Sequence, residues 1–104
     1  MRQGHVLMAS KIEITPEAEQ DIFFIASEIK QQNNSAIARH TLTEIKNQLN
    51  TLAEFPDIGR VGGCEGTREI VMSGMPYIAI YELTDSSVVV VRVLRGADGN
   101  QPAV

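Results

Sequence analysis

Residues 67–94, TREIVMSGMPYIAIYELTDSSVVVVRVL, decide the fold of this chain. Their apolar side chains recur with a period close to two, which is typical of β-strands. Two short turn sequences divide the segment, and short turns between strands predict antiparallel hairpins. The three predicted strands cover residues 67–72, 77–83 and 87–94. The near-continuous valine run in the last strand predicts a central strand that is partly covered on both faces.

The residues before this segment predict a helical hairpin. Thr15 and Pro16 suit the cap and the first position of a helix. Residues 31–35 form a polar break, and Pro56 ends the second helix near Phe55. The two apolar stripes, which have helical spacing, are Ala18, Ile22, Ile25, Ala26 and Ile29, then Ala38, Leu42, Ile45, Leu49 and Leu52. With an alternating strand at residues 11–14, the order is β-α-α-β-β-β. We therefore predict an α+β fold, a helical hairpin packed on a twisted antiparallel sheet.

The length of 104 residues suits one domain. We expect a disordered leader at residues 1–10, with Met8 as an alternative start to Met1, a folded domain at 11–98 and a tail at 99–104. The single cysteine, Cys64, favours a reducing, cytoplasmic location. The chain has no membrane span, and neither histidine has a metal-ligand spacing. We expect no metal and no cofactor.

Four arginines follow residue 55, although the net charge is −4. Arg60 lies in a loop predicted at residues 56–66, Arg68 in the first strand of the meander, and Arg92 and Arg95 in and just after the last strand. Strand alternation places Arg92 and Arg95 on opposite faces. Arg68 interrupts an apolar meander, so it pairs with Glu69 or Glu82 or faces a surface that binds an anion.

The ordered series FPDIGR (55–60), GTREIV (66–71), PYIAIY (76–81) and VRVL (91–94) resembles the RelE/ParE toxin superfamily. The start of the helical hairpin, TPEAEQDI (15–22), agrees with it. The resemblance covers about residues 11 to 98. It implies the toxin of a type II toxin–antitoxin module, also called a plasmid stabilisation protein. It also implies that an antitoxin neutralises the toxin in a hetero-oligomer.

The resemblance leaves the target open between two branches. RelE-like members cut mRNA in the ribosome, and ParE-like members inhibit DNA gyrase. Many relatives have a histidine where this chain has Arg95, and arginine is a poor general base. This substitution and the acidic net charge favour the gyrase branch. The alternatives are a ribosome-dependent mRNA endonuclease and a non-toxic protein that only binds antitoxin.

The residues on these predicted elements supply the candidate site residues. The target-binding candidates are Arg60, Arg68, Tyr81, Arg92 and Arg95. Tyr77 and Tyr81 share one strand face, where an aromatic side chain could stack on a base, although packing in the core is the commoner role. Arg68 and Arg95 would be catalytic only if the protein is a nuclease, because an arginine can stabilise a phosphate transition state.

Overall fold

The structure is a computed structural model that describes residues 11–32 and 34–96. The predicted leader and tail lie outside these residues. The elements are β1 (Lys11–Ile14), α1 (Pro16–Gln32), α2 (Ser35–Glu54), β2 (Arg60–Val61), β3 (Thr67–Val71), β4 (Tyr77–Leu83) and β5 (Ser87–Arg95).

The strands form one sheet in the order β1-β5-β4-β3-β2. The meander of β3, β4 and β5 is antiparallel, as predicted, and the α+β fold class is confirmed. The sheet as a whole is mixed, however, because β1 pairs parallel with β5. An alternating pattern marks a strand but carries no information about the direction of its partner. The predicted loop also contains the two-residue strand β2, which pairs antiparallel with β3.

The helix ends follow the capping residues. The Thr15 hydroxyl accepts a hydrogen bond from the Ala18 N–H at 3.1 Å, which caps α1 directly before Pro16. The Asn34 side chain accepts from the Ile37 N–H at 2.9 Å and caps α2. The α2 helix ends at Glu54, next to the residue that precedes Pro56.

Both helices pack on one face of the sheet, and the hydrophobic core lies between the helices and this face. A β-bulge keeps the apolar side chains of β5 in the core: the register passes from Ile80 opposite Arg92 to Tyr81 opposite Val90, so Val91 is an extra residue. The buried cluster contains Ala18, Ile22, Ile25, Ile45, Leu49, Leu52, Met72, Tyr77, Ala79, Tyr81, Val88, Val90 and Val93. Among the described residues no helix covers the opposite face, where Val71 and Leu94 are exposed.

Asp21 fastens α1 to β5 at the point where β1 has ended. Its carboxylate accepts two hydrogen bonds from the Arg92 guanidinium, at 2.7 and 2.9 Å, and a third from the Val93 N–H at 3.0 Å. Burial alone would raise the pKa of Asp21, but these hydrogen bonds and the charge of Arg92 hold it below its ordinary value of 3.8. The ionised carboxylate therefore stabilises the folded state.

We predict that Asp21→Asn lowers the free energy of unfolding at pH 7 by about 1–2 kcal/mol, because the amide loses the charge-assisted bonds to a partly exposed arginine. A lowered folded-state pKa gives a contribution that is complete above the unfolded pKa and is lost as pH falls through the folded pKa. The difference in the free energy of unfolding between the wild type and Asp21→Asn should therefore shrink below about pH 4. Urea unfolding at several pH values measures it.

Glu19→Gln is the control, because it removes an exposed carboxylate from the same helix. It should change the stability little at any of these pH values. A loss of stability in Asp21→Asn that stays constant down to pH 2 would contradict the ionic role of Asp21.

Candidate functional site

The side chain of Tyr81 forms hydrogen bonds to the connection between α2 and β3, residues 55–66. This side chain of β4 is fully buried, at 0% exposure. Its hydroxyl donates to the Pro56 carbonyl at 2.8 Å and accepts from the Gly59 N–H at 2.8 Å. Burial raises the pKa of Tyr81, and the Gly59 N–H and the charge of Arg68 only partly offset this. The phenol is therefore neutral and can use both of its hydrogen-bonding functions.

Arg68 holds the same connection from β3. It lies opposite Tyr81 in the sheet. Its Nη1 donates to the Gly59 carbonyl at 2.8 Å and to the Asp57 carbonyl at 3.3 Å. We expected a carboxylate partner or an open anion-binding surface for Arg68. The structure shows main-chain carbonyls instead, because the connection folds over the end of β3.

Gly59 has no space for a side chain. A Cβ atom at this position would lie 2.5 Å from the Tyr81 hydroxyl and 2.8 Å from the Glu69 carbonyl oxygen. Real Cβ atoms essentially never approach other atoms so closely. Glycine is therefore needed here for close approach to the sheet.

Glu69 organises the distal part of the connection from the other face of the sheet. Its carboxylate accepts from Arg60 Nη2 and from the Gly63 N–H, both at 3.3 Å. The Glu69 side chain is only 14% exposed, whereas the Arg60 side chain is 60% exposed. The tip of Arg60 is oriented but remains accessible.

The connection also exposes apolar side chains. Phe55 is 54% exposed, Ile58 50% and Val61 80%. Three large exposed apolar residues lie within seven positions beside an accessible arginine, with Arg60 and Val61 on opposite faces of the sheet edge. A partner protein that wraps around this edge could cover them. We call Phe55, Ile58, Arg60 and Val61 the loop surface.

The other candidate residues do not join this surface. On the open sheet face, Arg60, Glu69, Ile80 and Arg92 lie side by side on four successive strands. Arg60 and Arg92 are therefore three strand spacings apart, or about 14 Å. Arg92 is bound to Asp21. Arg95 is exposed and lies opposite Tyr77.

Arg68 and Arg95 both lie on the helix side of the sheet, at opposite ends. Their β4 partners, Tyr81 and Tyr77, are four residues or about 13 Å apart. The four arginines therefore do not converge on one point. Tyr77 and Tyr81 do share a face, as predicted, but both are buried in the core. Neither ring is accessible for stacking on a base in this structure.

The sequence patterns did not reveal the roles of Asp21, Gly59 and Glu69. The interpretation of Asp21 was limited to the favourable dipole at the start of a helix, and its arginine partner is 71 positions away. The only local signal for Gly59 is that it follows Pro-Asp-Ile in a turn-like sequence. The described residues contain no group of three or more metal-ligating side chains. None of the described helices has an apolar stretch long enough to cross a membrane.

Comparisons with known proteins agree on one superfamily. The chain is 35% identical over 60 residues to the candidate toxin Y4kP of Sinorhizobium fredii, and the match spans 62% of that protein. The fold is similar to a chain in the chromosomal ParDE toxin–antitoxin system of P. aeruginosa, with a TM-score of 0.79, 18% identity, and coverage of 85% of this chain and 97% of the other. A chain of the intact E. coli RelBE complex is similar with a TM-score of 0.59, 18% identity, and coverage of 86% and 99%.

The family model of the ParE toxin of the type II toxin–antitoxin system, parDE, matches residues 12–99. This range contains every described element except the first residue of β1. The resemblance expected from the ordered motifs is thereby confirmed. The chain belongs to the ParE toxin family of type II toxin–antitoxin systems.

Proposed function

We propose that the protein arrests growth by inhibiting DNA gyrase and does not cut mRNA. The observation that carries this proposal is that the four arginines do not converge on one point, where a phosphate and a proton acceptor could meet. Metal-free RNA cleavage needs a group that removes the proton from the 2′-hydroxyl as well as positive charge on the phosphate.

The proton acceptors near the arginines are poorly suited to RNA cleavage. Two carboxylates of the connection, Asp57 and Glu65, are exposed, but their negative charge would repel the substrate phosphates. Glu69 is bound by Arg60 and by the Gly63 N–H. Tyr81 is a buried phenol with a raised pKa. His40 lies on α2, away from the sheet residues that carry the arginines. Separated arginines beside poorly suited proton acceptors support binding better than they support strand cleavage.

The charge distribution supports the same choice. The net charge of −4 opposes approach to the dense phosphates of a ribosome. Three of the four arginines have internal partners: Arg60 pairs with Glu69, Arg68 with main-chain carbonyls and Arg92 with Asp21. The loop surface, with one accessible arginine among three apolar side chains, is better suited to a protein target.

An antitoxin partner is supported by two apolar grooves. One, of about 350 Å³, lies between α2 and β3 and includes Ile58 and Val71. The other, of about 380 Å³, lies between α1 and α2 and includes Phe23, Lys30 and Arg39. Together with the open sheet face, these grooves could take an extended antitoxin segment.

We predict that the purified protein inhibits gyrase supercoiling at concentrations that leave ribosome-bound mRNA intact. Arg60→Ala should weaken the inhibition at least about tenfold, because a lost hot-spot arginine typically costs over 1 kcal/mol. Arg39→Ala, an exposed arginine of α2 outside the loop surface, is the matched control and should inhibit like the wild type. Codon-position-dependent mRNA cutting on purified ribosomes would instead establish the RelE-like alternative.

We further predict that antitoxin protects amides within residues 67–95 from hydrogen exchange. Val71→Asp should weaken antitoxin binding at least about tenfold, since it places a charge on an exposed apolar position of the open sheet face, at the edge of the groove between α2 and β3. Thr43→Asp adds the same charge at an exposed α2 position outside the groove and should bind normally. Absence of protection throughout residues 67–95 would contradict this surface.

Normal growth on induction of soluble, folded wild-type protein would identify a non-toxic antitoxin-binding protein.

A further inference from the structure

Tyr81 and Arg68 make their polar contacts with the turn at residues 56–59. We propose that they are positioning residues, which hold this turn so that Arg60 and Val61 are presented to the target in a preformed conformation. The inference revises the target-binding role expected for both residues from the sequence. It rests on the proposed function in that a target contacts the loop surface.

The turn depends on hydrogen bonds from the sheet. The Tyr81 hydroxyl and Arg68 Nη1 make four hydrogen bonds to residues 56–59, at 2.8, 2.8, 2.8 and 3.3 Å. Within the connection, this part of the chain has a single local bond, from the Ile58 N–H to the Phe55 carbonyl at 3.2 Å. Removing the two side chains would therefore leave the turn with little to define its conformation.

The turn leads directly into the exposed side chains. Residues 60 and 61 pair with Glu69 and Arg68, so their main chain continues from the turn into the sheet edge. Their side chains lie on opposite faces of β2. The main chain is thus fixed while the tips stay accessible, and a preformed surface loses less conformational entropy on binding.

Tyr77 provides a comparison within the same strand. Tyr77 and Tyr81 lie on the same face of β4, and both are buried in the core. The Tyr81 hydroxyl has two partners in the connection, whereas the Tyr77 hydroxyl makes no hydrogen bond to the described residues. Packing alone would be served by phenylalanine at both positions, so the difference between the two hydroxyls isolates the positioning role.

The experiment compares Tyr81→Phe with Tyr77→Phe in the full chain. Growth arrest is titrated with an inducible promoter at matched levels of soluble protein, and amide exchange is measured on the purified proteins. We expect Tyr81→Phe to need several-fold more protein for arrest and to exchange the amides of residues 57–63 at least about tenfold faster, as the loss of the two hydrogen bonds of the hydroxyl suggests. The amides of α1, α2 and β5 should be unchanged. Tyr77→Phe should match the wild type in both measurements.

Three further variants test the positioning role at the other residues of the contact. Gly59→Ala should reproduce the effect of Tyr81→Phe, because a Cβ there collides with the hydroxyl. Arg68→Lys should retain more activity than Arg68→Ala, because a lysine can still donate to the carbonyls.

Wild-type potency and unchanged exchange at residues 57–63 in Tyr81→Phe would overturn the inference. Equal losses in Tyr77→Phe and Tyr81→Phe would also overturn it, since they would show a general effect of core packing. Growth arrest by a wild-type protein that does not inhibit gyrase would overturn the proposed target instead, and the comparison of variants in cells would still decide the positioning role.

Discussion

The hydroxyl of Tyr81 joins the core of the sheet to the connection above it. Its ring fills the core beneath the helices, while its oxygen needs polar partners in a place that water does not reach. The connection supplies them through the Pro56 carbonyl and the Gly59 N–H. Close approach then requires glycine at position 59 and leaves two carbonyls for Arg68. The position of the exposed Arg60 follows from this contact.

The second constraint is the placement of charges by the sheet. Side-chain alternation and the Val91 bulge put Arg60 and Arg92 on the open face, and Arg68 and Arg95 on the helix side. Asp21 then neutralises Arg92 at the edge that β1 leaves unpaired. A sheet that distributes four arginines over two faces and both ends presents separate contacts. It does not build the concentrated positive site that phosphate chemistry needs.

The elements of the fold could be predicted from local patterns because helix and strand periods, capping residues and prolines act over a few positions. Pairing could not. The parallel contact of β1 with β5, the short β2 and the bulge at Val91 depend on contacts between distant segments. The candidate site was predicted in part: Arg60 is accessible, but Tyr81 is buried and Arg68 bonds to the main chain. Composition marks an arginine or a tyrosine as capable of binding, and only packing decides what each one touches.

The central claim is that the Tyr81 hydroxyl is buried between two main-chain groups of the connection, and its ionisation tests this most directly. Specific labelling of tyrosine rings allows the Tyr81 resonance to be followed by NMR during an alkaline titration, with Tyr81→Phe assigning the signal. Because burial raises the pKa of Tyr81, its resonance should titrate with a midpoint above pH 10, where an ordinary phenol is half ionised. A Tyr81 signal that titrates at or below pH 10 in the folded protein would contradict the account.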